Sequence, residues 1–406
     1  MKGLKLSLVI MAAALLTISL GGMAYAFHDG GVANCESCHT MHNSIGNVTV
    51  VPGGTPLQGV AYLLKNTDQS STCINCHGGT ASSGKNVFTT SLAVGAAPVN
   101  YTPGGDFSWL TKSYSSSLPG DRLGHNVVAK DFSLQADATL KNAPGGTYKN
   151  TDLSCISCHD PHPAARQDAS GAISYRGSGQ IIASGSYGPV TLGGTDKIGT
   201  YRLLGGNGYV PKSVGSPVFA NDPPVAVAPS TYNRKETSTD TRVAYGKGMS
   251  EWCSNCHGTI SQTDAATHFI HPAANGAVLG TTIAANYNAY KMSGNLTNTV
   301  AASYTSLVPF EEGSSDLTFL LSETTKTTGP GTTTENVMCL SCHRAHASGF
   351  KNITRWNNAE FITKAGVYSL TGTMTDVEYT AAMYDRPASV FATYQRSLCN
   401  KCHVKD

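Results

Sequence analysis

The sequence predicts a chain that is mostly coil, with short helices and few strands, built around tethered cofactors rather than around sheets or helix bundles. Three observations carry that expectation. Cys-x-x-Cys-His, the attachment signal of c-type haem, occurs six times and uses all 12 cysteines. Glycine is abundant, at 43 of 406 residues, and charged residues are only 13%, about half the usual share. No stretch carries the sustained apolar periodicity that builds large sheets or bundles. Together these point to a multihaem cytochrome c with a core built around six stacked haems and folding that depends on haem loading.

The motifs begin at Cys35, Cys73, Cys155, Cys253, Cys339 and Cys399 and close with Cys38, Cys76, Cys158, Cys256, Cys342 and Cys402. In each, the two thiols bond to the porphyrin vinyl groups. The next residue (His39, His77, His159, His257, His343 or His403) is placed to bind the iron from the same side. The same letters can form half a zinc site, but zinc needs paired units at closer, matched spacing. The unequal spacing of the six motifs also argues against a tandem repeat fold.

Residues 1–26 read as a secretory leader. Lys2 and Lys5 form a charged start, Leu6 to Leu20 is largely apolar, and Ala24-Tyr25-Ala26 is a small-x-small cleavage site. Residues 27–406 are expected to form one hexahaem domain. Export suits the motifs, because c-type haem is attached after the chain leaves the bacterial cytoplasm. No later segment is long and apolar enough to span a membrane. The formal charge of +2 falls to about zero without Lys2 and Lys5, and six bis-histidine haems with ionised propionates bring it to about −6. Nucleic-acid binding is not indicated; weak electron-transfer encounters and self-association are.

Along the chain, turns are expected at Pro103-Gly104-Gly105-Asp106, Pro144-Gly145-Gly146 and Gly205-Gly206-Asn207-Gly208. The last of these lacks the lysine and hydroxyl residue of a phosphate loop. Asn221 to Thr231, with three prolines, reads as an extended connection. Short helices are predicted around each motif and near Ala284–Met292, Val377–Tyr384 and Ala388–Leu398, and a surface loop at Thr324–Thr334.

Beyond the six proximal histidines, seven of the 13 remain: His28, His42, His125, His162, His268, His271 and His346. Six irons need six distal ligands, so bis-histidine ligation at every haem is expected, with no position open for substrate. His42, His162 and His346 each stand three residues beyond a proximal histidine. That spacing puts both rings on one side of a helical turn, whereas axial ligands occupy opposite faces of a porphyrin. Each should therefore reach another haem and lock two porphyrins together. Of His268 and His271, Pro272 fixes the backbone beside His271, which is the expected ligand; His268 is the spare.

Outside the motifs, long stretches resemble the OmcS-type hexahaem outer-surface cytochromes, the nanowire-forming family of metal-reducing bacteria. They include Phe27-His28-Asp29-Gly30-Gly31 before CESCHTMHNS, TPGGDFSW (Thr102–Trp109), GHNVVA (Gly124–Ala129), SCHDPH (Ser157–His162) and GYVPKS (Gly208–Ser213). APSTYNR (Ala228–Arg234), RVAYGKGMSEWC (Arg242–Cys253), PFEEG (Pro309–Gly313), CLSCHRAHASGF (Cys339–Phe350) and YQRSLCNKCHVKD (Tyr394–Asp406) continue the match. The resemblance implies an extracellular filament of identical subunits with haems stacked in one line. It implies that His42 ligates a haem of the neighbouring subunit, and that His28, His125, His162, His271 and His346 supply the other distal ligands. The chain departs from the family at Thr80–Tyr101, Gln167–Gly194 and Leu320–Asn336.

The expected function is therefore extracellular electron transfer, without enzymatic catalysis. The chain is exported to the outer cell surface, joins head to tail with copies of itself, and exchanges electrons with other multihaem cytochromes and with extracellular metal oxides, electrodes or partner cells. The alternatives are a monomeric periplasmic or surface shuttle, distinguished by six distal ligands from one chain, and a multihaem reductase, distinguished by an open iron position.

Overall fold

Turns and short pairings, rather than long elements, take up the backbone hydrogen bonds of this chain. The computed structural model describes residues 35–40, 44–45, 48–49, 63–79, 85–187, 191–211, 218–228, 243–260, 272–290, 295–297, 299, 308–325, 329–331 and 334–403. The leader at 1–26 and His28, His42, His268 and His271 lie outside the described residues. Helices α1 (Cys35–Cys38), α2 (Gln69–His77), α3 (Met249–Cys253) and α6 (Cys339–Cys342) carry or enter attachment motifs; the motifs at Cys155 and Cys399 sit on 3-10 turns, Cys155–Ser157 and Leu398–Lys401. Helices α4 (Gly280–Ala289), α5 (Leu317–Glu323) and α7 (Asp376–Ala382) carry no attachment motif. Among the described residues, no helix is long and apolar enough to cross a membrane.

Local chemistry fixes the helix starts. Asp68 accepts from the Ser71 N–H at the start of α2, and Asp316 accepts from Thr318 and Phe319 at the start of α5. Thr375 and Glu378 form a reciprocal capping box on α7. The Glu378 carboxylate also meets the Lys112 ammonium at 2.9 Å in a buried pair that ties α7 to the segment after Trp109.

The strands are two or three residues long. A three-stranded antiparallel sheet places β1 (Ala165–Gln167) between β2 (Ile173–Tyr175) and β3 (Ile198–Gly199); Ala226–Val227 pairs with Ala244–Tyr245, and Thr363–Lys364 with Val367–Tyr368. The predicted turns form: Gly105, Gly145 and Gly208 take positive φ (92°, 69° and 85°), where a side chain would be strained. At Gly105 a Cβ would also strike the Ala347 carbonyl oxygen.

Two expectations fail. Ala388–Leu398 is helical only over Ala388–Val390 and at its last residue. The rest is pinned as an edge: Ile362 N–H donates to the Gln395 carbonyl, Gly366 N–H to Thr393, and Ser397 N–H to Glu360. Tertiary pairing overrides weak helix propensity there. The surface loop at Thr324–Thr334 fails only in part: Thr325, Gly331 and Thr334 are exposed, whereas Thr324, Gly329 and Pro330 are buried, with Asn288 of α4 donating to the Pro330 carbonyl; 326–328 and 332–333 lie outside the described residues.

Polypeptide side chains also contribute a core of their own. Trp109, Leu123, Tyr287, Phe310, Ile362, Tyr379 and Met383 form one buried cluster, with Cys342 and Cys402 packed against it. Tyr201, Tyr245, Met249, Met338 and Leu340 form another, which Cys158 and Cys253 border. The attachment cysteines thus line the edges of apolar clusters.

Glu311 is wholly buried between these regions. One carboxyl oxygen accepts from the Met249 N–H at 2.8 Å; the other has no hydrogen-bond partner among the described residues. Burial above all, and the nearby Glu251, push its pKa up from 4.5 to about 8. The folded state therefore binds this proton more tightly than the unfolded state. The stabilisation is complete below about pH 4.5 and is lost as the pH rises to about 8. Glu311→Gln removes the titration, so its melting temperature should fall less than that of the wild type between about pH 5 and about pH 9. Parallel melting curves would contradict this.

Candidate functional site

The six motifs follow one another in space in the order they occupy in the chain. Cys38 lies within electrostatic reach of Cys76, Cys73 within hydrogen-bond reach of Cys155, and Cys158 near Cys256. Cys253 lies within hydrogen-bond reach of Cys339, and Cys342 lies near Cys399 and Cys402. Two of these junctions use the same contact. The Cys155 N–H donates to the Ser70 hydroxyl, and the Cys339 N–H to the Ser250 hydroxyl, each at 3.1 Å. Ser70 and Ser250 stand three residues before Cys73 and Cys253.

A second device occurs three times. After the first, third and fifth motifs, the backbone is clasped by a distant segment through a pair of hydrogen bonds. Thr40 N–H donates to Leu63 and Lys65 N–H to Cys38; Asp160 N–H donates to Leu203 and Gly205 N–H to Cys158; Arg344 N–H donates to Ile353 and Arg355 N–H to Cys342. Each clasp turns through left-handed residues that are not glycine, with φ 55° at Leu63, 51° and 55° at Arg202 and Leu203, and 59° and 60° at Asn352 and Ile353. That backbone costs on the order of 1 kcal/mol per residue, and such strain persists where the surroundings hold it for function. The unequal motif spacing hides this repetition, because the clasping segments stand at different distances along the chain.

The clasps also hold imidazoles. His159 Nδ1 meets the Arg202 carbonyl at 2.7 Å and His343 Nδ1 the Asn352 carbonyl at 2.8 Å. Elsewhere His77 Nδ1 meets Lys85, His257 Nδ1 meets Pro144, and His125 Nδ1 meets Ala345, at 2.7–2.8 Å; His346 Nδ1 meets Gly105 at 3.3 Å. A carbonyl oxygen can only accept, so each of these rings carries its proton on Nδ1 and presents an Nε2 lone pair. This is the arrangement that orients a metal-binding histidine and raises its basicity. Burial, above all, lowers the pKa of His125 to about 4 and of His346 to about 3, keeping both neutral as metal ligation requires.

The rings come together in pairs drawn from distant parts of the chain. The centroids of His39 and His162 lie 6.0 Å apart with planes at 18°; His125 and His257 lie 6.1 Å apart at 46°, and His159 and His346 lie 6.3 Å apart at 59°. Metal–imidazole bonds run about 2.0–2.1 Å and the centroid lies about 1 Å beyond the nitrogen, so two ligands on opposite sides of one metal have centroids about 6 Å apart. Among the described residues no three His, Cys, Asp or Glu side chains converge to hold a metal by themselves. A pair of imidazoles flanked by a Cys-x-x-Cys therefore fits a cofactor that brings its own equatorial donors, as haem does. Phe107 stacks on His346 at 4.7 Å and fixes that ring further. Sequence reasoning missed the carbonyl partners and the serine junctions; an extended segment closing on two adjacent bulky residues (Leu63-Leu64, Leu203-Leu204, Ile353-Thr354) was their only local trace.

No protein-family model matches the chain. It is 49% identical, over 438 aligned positions covering all of both chains, to C-type cytochrome OmcS of Geobacter sulfurreducens. The fold matches a cryo-EM structure of the OmcS nanowires from Geobacter sulfurreducens with a TM-score of 0.86, covering 94% of this chain and 100% of that one at 49% identity. It matches the outer membrane cytochrome S filament of the same organism with a TM-score of 0.84 at 47% identity and the same coverage. By identity along its whole length and by fold, this chain belongs to the family of the c-type cytochrome OmcS.

Proposed function

We propose that the chain carries electrons outside the cell through six covalently bound haem c groups, in subunits that join head to tail into a conductive filament. The observation that carries this reading is the rule relating the imidazole pairs. His39 of the first motif faces His162, which follows the third motif, and His159 of the third faces His346, which follows the fifth. Extended one step, the rule assigns His343 of the fifth motif to the corresponding residue of the first motif in the next subunit, His42. An interaction of that kind does not close on itself, so its repetition makes an open filament.

On this reading the iron ligand pairs are His39 with His162, His159 with His346, His257 with His125, and His343 with His42 of a second copy. His28 and His271 complete the sites of His77 and His403, and His268 is left over. Bound there, haem c supplies a one-electron iron couple. Held between two imidazoles, each iron would offer no position to a substrate, so the chain would act as a conduit rather than a catalyst. Hydrogen bonds from Nδ1 to carbonyls strengthen the ligands and favour ferric iron, so potentials should lie below those of His/Met cytochromes. The ordered succession of motifs provides one continuous path from the first attachment site to the last. Export through the leader at 1–26 places the filament at the outer surface, where other multihaem cytochromes and metal oxides are its electron partners.

His42→Ala should leave each subunit folded with six haems, render about one sixth of the haem five-coordinate and high-spin, and weaken polymerisation. Filaments of normal length with wholly low-spin haem would contradict the assignment. His271→Ala should likewise convert one haem to high spin, while His268→Ala should leave the absorption spectrum unchanged; the reverse pattern would reassign the ligand.

A further inference from the structure

Each clasp contains one basic residue among the four positions that end at the residue closing the hydrogen-bonded pair. The segments are Tyr62-Leu63-Leu64-Lys65, Arg202-Leu203-Leu204-Gly205 and Asn352-Ile353-Thr354-Arg355; Tyr62 lies outside the described residues. The closing position holds Lys65 in the first clasp and Arg355 in the third. In the second it holds Gly205, and the cation stands three positions earlier, at Arg202.

We propose that these three residues, Lys65, Arg202 and Arg355, are potential-setting residues: each holds a permanent positive charge against one odd-numbered motif and raises the reduction potential of the haem bound there. The proposal rests on the haem-binding reading above.

The geometry ties each cation to its motif. The Lys65 and Arg355 N–H groups donate to the Cys38 and Cys342 carbonyls at 2.9 Å, and the Arg202 carbonyl receives His159 Nδ1 at 2.7 Å. Lys65 acts electrostatically on Cys38, Arg202 on both His159 and His346, and Arg355 on Cys342 and His343. The Arg202 guanidinium donates to the Tyr187 hydroxyl at 3.0 Å and lies 5.6 Å from the centroids of the Tyr187 and Tyr201 rings. Among the described residues no carboxylate pairs with it. Arg355 is wholly buried, its Nε donating to the Leu340 carbonyl.

Reduction of a ferric haem removes one positive charge. A neighbouring cation repels the ferric form more than the ferrous form, and in a poorly screened interior that difference is large. If the cation instead pairs with a haem propionate, it cancels a negative charge that would favour ferric iron; the sign is the same. The clasp thus combines two opposing settings, a carbonyl that strengthens the imidazole and lowers the potential, and a cation that raises it.

Spectropotentiometric titration of the haem-loaded protein tests this. Arg202→Asn borrows the residue that occupies the same left-handed position in the third clasp, so the carbonyl contact survives. Lys65→Gln removes a charge from a half-buried site. Each should retain six low-spin haems and move about one sixth of the absorbance change to a more negative potential, whereas Arg202→Lys and Lys65→Arg should titrate like the wild type. The proposal is overturned if either charge-removing variant titrates like the wild type, or if either charge-retaining variant shifts as far as its neutral counterpart. Should Arg202→Asn fail to assemble, Lys65→Gln against Lys65→Arg decides. An unchanged polymer with unshifted potentials would sink this proposal while leaving the filament reading intact.

Discussion

The structure depends on pairs of imidazoles held about a ring-pair's width apart by backbone carbonyls. An imidazole that can rotate is a poor element of a rigid electron path, and one whose Nδ1 is fixed to a carbonyl is not free to rotate. Among the described residues, six rings are seen anchored in that way. Their carbonyls come from segments far along the chain: Pro144 serves His257, Ala345 serves His125, and Arg202 serves His159. Contacts of that separation are what make loops and turns into one structure in a chain with few long elements.

The same contacts connect fold to assembly. His162 and His346 each belong by sequence to one motif and by position lie against the proximal histidine of another, so these two ring pairs each join two motifs. A subunit built on that rule has an unfilled requirement at one end and an unused histidine at the other. On the proposed ligand assignment, filament formation would continue the internal architecture, and haem loading, folding and polymerisation would share the same bonds. The match to the OmcS nanowire structure agrees with a subunit of this kind.

Much of the site was legible in the sequence because covalent attachment and ligand counting are local or arithmetical. The motifs, their helical turns and the Gly-rich bends follow from residue chemistry alone, as at Gly105 and Gly208. The incompatibility of His162 with its own motif followed from spacing. The clasps were not legible: one device is reached from His39 through Leu64, from His159 through Leu204 and from His343 through Thr354, at unequal intervals that erase any repeat. Ala388–Leu398 looked helical because propensity is local, while the hydrogen bonds that hold Gln395 and Thr393 to the Glu360–Gly366 segment are not. The buried Arg344 and Arg355 were equally hidden, since nothing in their neighbours marks a charged side chain for the interior.

The central claim is that the proximal histidine of each motif is paired with a histidine from elsewhere in the assembly, with one link made between subunits. A cryo-EM map of filaments assembled from this chain measures it directly. The account predicts one iron between His39 and His162, another between His159 and His346, a third between His257 and His125, and a histidine of the adjacent subunit opposite His343. An iron at His343 ligated from within its own chain, or His162 and His39 bound to different irons, would contradict it.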